Sequence, residues 1–384
     1  MTLSYKILAK AAGVDKVFAK DKIKLRVNHC VINDGVSHKA VDLLIDENNL
    51  NNKDIITVIL DHDIPAGSFD SAFIQKKLID FSKKHDLNFI QSAGIGYEIM
   101  LNSVKNGEVV VGCGGHNGIY GVNNALGIKL SVEETAVLLM DGYLSYSVPE
   151  CVNVEIAGRL PDGTSARDFM LQLISEAGDA FCGYIVEITG DAIKSLKEDD
   201  KKVVCSLMSR TGAASVLMTY EAEGKYAKAF KYNLNDTKQA VTMPGDLNTY
   251  KTVEELKGTK ISAGFIGACT GGHIDDLRLA AEILKGKRIK LGFRLLIGCV
   301  SNEVFLQAMD EGLIDIFFDF GAQFTNPGCA SCKTTSIGVV GDGESLISTG
   351  SYNYAGCAGT MNSKIYLASV ETVAKTAISG VIGE

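Results

Sequence analysis

Three cysteines constrain this 384-residue chain most: Cys269 in Gly267-Ala268-Cys269-Thr270-Gly271-Gly272, and the pair Cys329 and Cys332 in Asn326-Pro327-Gly328-Cys329-Ala330-Ser331-Cys332. Three thiolates are one short of the four that close an iron–sulfur cubane. A cluster held that way keeps one iron open as a Lewis acid. The Cys-x-x-Cys spacing alone also serves zinc half-sites, redox pairs and plain core packing. A zinc site wants a second pair or nearby histidines, and none lie close in the sequence. Any shared ligand requires a fold that brings distant loops together.

The rest of the composition describes an ordinary globular chain. Hydrophobic residues make up 46% and charged residues 22%, enough for large cores over two or three domains. A net charge of −8 argues against nucleic acid or an anionic membrane surface as partner. No basic-then-apolar leader opens the chain and no apolar run is long enough to span a bilayer, so a cytoplasmic protein is expected. The ten cysteines are then expected as reduced thiols or ligands rather than disulfides. Cys30, Cys151, Cys182, Cys205 and Cys299 are read as small core residues. His29, His38 and His85 are read as packing or surface residues.

Apolar runs alternate with helical spacing, which points to an α/β fold. Ile55 to Leu60 reads as a buried parallel strand ending at Asp61-His62, and the C-terminal edge of such strands is where ligands bind. Phe73 to His85 has helical spacing. Glu108 to Val111 is a second buried strand, running into the glycine-rich Gly112-Cys113-Gly114-Gly115-His116-Asn117-Gly118 loop. Further on, Thr164 to Glu176 reads as a helix capped by Thr164 or Ser165, with strands at 152–156 and 184–188. The polar stretch 235–253 reads as a linker. A last unit holds a strand at 261–266, a helix at 274–284 and a strand at 295–300. Three units follow, 1–147, 148–240 and 241–384.

With these segments in order, the chain resembles the aconitase family, nearest to the large subunit of 3-isopropylmalate dehydratase and homoaconitase. The resemblance runs nearly end to end. It is carried by Ile32-Asn33-Asp34, Leu60-Asp61-His62, Val148-Pro149-Glu150, Gly158-Arg159-Leu160-Pro161, Glu187-Ile188-Thr189-Gly190, Ile266-Gly267-Ala268-Cys269-Thr270 and the Cys329/Cys332 motif. It implies three α/β/α domains around a 4Fe–4S cluster bound by Cys269, Cys329 and Cys332, with one iron lacking a cysteine. It also implies a mobile fourth domain on a separate small subunit, and reversible dehydration of a small-molecule hydroxy acid. Asp61, His62 and His116 are the catalytic residues it implies, and Asn33, Tyr97, Gly115, Arg210, Ser351 and Asn353 occupy the positions expected to bind substrate.

The chain also departs from its relatives. Gly114-Gly115-His116-Asn117 stands where they have Asp-Ser-His-Thr, and Tyr97 replaces a histidine. Arg210 replaces a glutamate. The segment Ser351-Tyr352-Asn353-Tyr354-Ala355-Gly356-Cys357 lacks both arginines of the relatives' Ser-Asn-Arg-Asn-Phe-x-Gly-Arg, and tyrosine cannot copy a guanidinium fork on a carboxylate. The expected substrate is therefore less anionic than citrate or isopropylmalate. Two alternatives stand beside this hydro-lyase reading. In one, the open iron binds sulfide or a thiolate. In the other, Cys113 or Cys357 closes the cluster of a protein without turnover.

Overall fold

Apolar β-branched runs form the middle of two parallel sheets. The computed structural model describes residues 1–44, 46–47, 49–332 and 336–384. Ile56–Leu60 is buried at every position, as a parallel strand covered on both faces requires. It lies in a five-stranded parallel sheet in the order Asn88–Gln91, Ile56–Leu60, His29–Asn33, Val109–Gly112, Leu126–Lys129. The next helix, Phe69–His85, starts earlier than its apolar spacing predicts. Ser68 and Ser71 close a reciprocal capping box there, while Phe69 points to solvent and adds nothing to the apolar stripe.

A four-stranded parallel sheet follows, ordered Ser215–Met218, Ile185–Thr189, Cys151–Ala157, Lys228–Asn233. The helix Ala166–Ala177 packs beside it, with Ser165 accepting from Asp168 N in a second capping box. Cys182, expected in the core, is exposed, because it sits in the turn between that helix and Ile185–Thr189.

The stretch expected as a linker is instead structural. Ala240–Thr242 and Tyr250–Thr252 form the antiparallel edge of a seven-stranded sheet. Lys364–Ala368, Ser345–Ser348, Ala263–Ile266, Arg294–Ile297 and Gln323–Phe324 continue it in parallel. Strands this short carry too few side chains to show a period.

The C-terminal edges of the five- and seven-stranded sheets meet. Ile95 N donates to Val300 O at 2.8 Å and Cys329 N to Asp61 O at 3.0 Å. The loops after Asn33, Leu60 and Gly112 therefore confront those after Ile266, Phe324 and Ser348, as expected for ligand-binding sheet edges. No helix among the described residues is long and apolar enough to cross a membrane.

Candidate functional site

These loops enclose a cavity of about 550 Å3 whose lining includes Cys269, Cys329 and Cys332. The three thiols come from two different strand–loop turns, and none is in a disulfide. Two alanines next to them, Ala268 (φ 61°) and Ala330 (φ 45°), hold left-handed backbone. Non-glycine residues in this region cost about 1–3 kcal/mol each, and here they lie against Cys269 and Cys329. Burial pushes the Cys269 and Cys329 thiols far above their usual range, helped by the Cys332 charge at Cys269 and by Asp61 and the other two cysteines at Cys329. Three thiols lining one cavity would repel one another as thiolates unless a soft cation joined them. The donor set fits an iron–sulfur cluster.

Next to Cys329 is a histidine held by two carboxylates. His62 Nδ1 lies 2.5 Å from Asp61 Oδ1 and 3.6 Å from Asp34 Oδ1. Asp61 is buried, and its other oxygen accepts from Gly96 N at 2.8 Å. Asp34 accepts from the backbone N–H groups of Asp61, His62 and Asp63, so it folds the turn that presents the pair. Burial opposes charge on His62, but Asp61 and Asp34 outweigh it and lift the imidazole to about 10. The His62 ring closes over Gly35, where a Cβ would lie 2.5 Å from Nε2. One ligand atom each from Asp61, His62 and Cys329 lie within 4.8 Å of one another. Both Asp61 oxygens are already engaged, which favours a proton-handling role over ligation of a lone metal.

His116 is of the opposite kind. Ser206 Oγ lies 3.0 Å from its Nδ1 and Ser351 Oγ 3.1 Å from its Nε2. Burial first, then the Arg210 charge, lower it to about 3, so it stays neutral. Ser206 Oγ also lies 3.9 Å from Cys269 Sγ.

Of the remaining sequence-derived positions, Asn33, Tyr97, Gly115 and Cys113 line the same cavity. Ser351 reaches it through His116. Arg210 lines an adjoining hollow of about 270 Å3 that shares Gly114, Gly115 and Lys129 with the main cavity. Its Nε is buried without a hydrogen-bond partner. Asn353 is not brought in: its Nδ2 donates to Met243 O at 2.6 Å and Asp246 O at 3.1 Å. Cys113 Sγ lies 3.2 Å from Thr135 Oγ1. Cys357 Sγ lies 3.3 Å from Tyr352 O and is absent from the cavity lining.

Three residues were given no role by sequence: Asp34, Ser206 and Arg167. Arg167 is buried, and its guanidinium donates to Ala368 O at 2.7 Å, to Thr270 O at 3.2 Å and to Gly350 O. It ties the Cys269 loop to the loop carrying Ser351. Burial lowers it to about 10, with Asp276, Asp168, Cys269 and Cys332 acting the other way. His273, one turn past Cys269, bonds Glu98 at 2.8 Å. Glu98 also lies 3.7 Å from Lys202.

Fold and site together define an α/β protein whose converging sheet edges build a cavity lined by three thiols and a carboxylate–histidine pair. The Aconitase family (aconitate hydratase) matches residues 6–244 and 224–380; the chain belongs to this family. It is 30% identical, over 410 aligned residues, to a probable 3-isopropylmalate dehydratase large subunit of Methanothermobacter thermautotrophicus, covering 100% of this chain and 98% of that protein. It is also 30% identical to the methanogen homoaconitase large subunit of Methanocaldococcus jannaschii, covering 100% and 99%. Among solved structures, holo aconitase X of Thermococcus kodakaraensis matches with a TM-score of 0.62 at 14% identity, over 92% of this chain and 90% of that one. At that identity the likeness concerns the fold.

Proposed function

We propose that this chain is the large subunit of a 4Fe–4S hydro-lyase acting on a hydroxy acid less anionic than citrate or isopropylmalate. The observation that carries this reading is the cavity lining: three cysteines beside the Asp61–His62 pair, with Lys129 the one lysine or arginine among the described lining residues. Cys269, Cys329 and Cys332 would hold the cluster, which when bound supplies a Lewis-acidic iron for the substrate hydroxyl. The protein's own groups do the rest. His62, protonated and held by Asp61 and Asp34, delivers a proton to the departing oxygen. His116, neutral and fixed by Ser206 and Ser351, orients substrate, and Asn33 offers an amide. Arg210 and Lys129 at the adjoining hollow hold a single carboxylate.

The base that removes the carbon-bound proton belongs, on this reading, to a swivelling domain on a separate small subunit. The chain then divides at 1–147, 148–240 and 241–384. One observation favours the alternative of sulfur chemistry, in which the open iron takes sulfide or a thiolate: Cys113 shares the cluster cavity.

Turnover tests the reading. The anaerobically isolated protein, with any subunit that co-purifies, should dehydrate a monocarboxylic hydroxy acid to the conjugated enoate, read by its ultraviolet absorbance. His62→Asn should lower kcat about 100- to 10,000-fold with iron content unchanged. An active His62→Asn variant removes the proposed acid. Sulfur transfer without dehydration supports the alternative.

A further inference from the structure

Two tyrosines are set into two glycines on the inner wall of the cavity. A Cβ on Gly114 would lie 1.3 Å from Tyr97 Oη, and one on Gly115 would lie 2.5 Å from Tyr352 Oη. Each phenol thus fills the volume that a side chain on its glycine would need. Both rings meet His116 edge-on, Tyr97 at 5.7 Å and 83°, Tyr352 at 5.6 Å and 80°. The Arg210 guanidinium lies 4.0 Å from the Tyr352 ring centre, steadying that ring. Tyr97 and Tyr352 both line the cavity with the three cysteines. Among the described residues neither hydroxyl has a hydrogen-bond partner in the protein. Burial keeps both protonated, Tyr97 well above its ordinary range and Tyr352 up to about 12. Two O–H donors, one on a buried ring and one on a half-buried ring, therefore face the cavity.

We propose that Tyr97 and Tyr352 determine specificity, donating to an uncharged acceptor, an amide or ester carbonyl, on a hydroxy acid that keeps a single carboxylate. A phenol offers a hydrogen bond without a charge. A neutral carbonyl accepts it without adding charge, whereas a second carboxylate in the same place would compete with the first for Arg210 and Lys129. The ligand class is then the half-amides and half-esters of hydroxy dicarboxylic acids. This inference rests on the hydroxy-acid reading above.

Malate, its half-amide malamate, and citrate are the probes, titrated calorimetrically under anaerobic conditions into the protein with its co-purifying subunit, cluster-loaded and cluster-free. Malamate should bind about ten-fold more tightly than malate or citrate to the loaded protein. Tyr97→Phe and Tyr352→Phe should each weaken malamate about 5- to 20-fold and leave malate unchanged. Phenylalanine keeps the ring against His116, so melting temperatures should hold. Tighter binding of malate or citrate, no binding of malamate, or equal loss for both probes overturns the proposal. Failure to hold iron instead removes the reading beneath it, and the cluster-free titration still reports whether the phenols select a neutral carbonyl.

Discussion

His62 and His116 show how one cavity holds the same side chain in two opposite states. His62 gains two carboxylates and keeps its proton. His116 is buried, lies near the Arg210 charge, and loses its proton. Sequence position pointed to both histidines, since each ends a buried strand in a loop, but nothing in the sequence separated acid from neutral. That difference comes from Asp61 and Asp34 beside His62 and from burial and Arg210 at His116, and Asp34 and Arg210 reach the two rings only through the folded topology. It has a measurable consequence in the cluster-free protein. His116 falls to about 3 in the folded state, against an unfolded value of about 6.5. Below that unfolded value the denatured chain takes up a proton that the native state refuses, so stability is lost as the pH falls. The loss should approach about 1.4 kcal/mol per pH unit between about pH 6 and pH 4. His116→Gln should flatten this part of the urea midpoint–pH curve; an unchanged slope would show that His116 does not titrate on unfolding.

At the scale of elements, the parallel strands were the most readable part of the sequence. Ile56–Leu60 and Val109–Gly112 are apolar throughout because both sheet faces are covered. The helix Phe69–His85 was cut short because its first turn is marked by a capping box and an exposed phenylalanine rather than by an apolar stripe. Ala240–Thr242 and Tyr250–Thr252 were missed because short edge strands have little pattern to read. Arg167 belongs to this scale too, since it connects three elements rather than serving one. It leaves the helix Ala166–Ala177 and bonds carbonyls after Cys269, before Ser351 and at the end of Lys364–Ala368. Arg167→Met would strand three carbonyls, each costing about 1–3 kcal/mol when buried unpaired. The variant should therefore lose about 3 kcal/mol or more in urea unfolding. It should also release iron faster under mild oxidation, while Arg167→Lys falls between. Iron release at the wild-type rate in Arg167→Met would show that the clamp does not support the cysteine loops.

Across the whole molecule, the three cysteines were legible because their motifs are dense and distinctive, and the fold brings them to a single cavity. The cavity's selectivity was only half legible. The missing arginines are visible by comparison with relatives, but what replaces them depends on contacts such as Tyr352 against Gly115, between positions far apart in the chain. Long-range packing of that kind leaves no local pattern. The shared cavity joins the first and last parts of the chain, so its geometry depends on the sheets meeting edge to edge. Everything proposed about chemistry depends on the group held there. Mössbauer spectroscopy of anaerobically prepared, iron-57-enriched protein examines it most directly. The account predicts a cubane with one iron distinct from the other three and released on mild oxidation, and loss of the cluster in Cys269→Ser, Cys329→Ser or Cys332→Ser. Zinc in place of iron, or four equivalent irons that all survive oxidation, would contradict it.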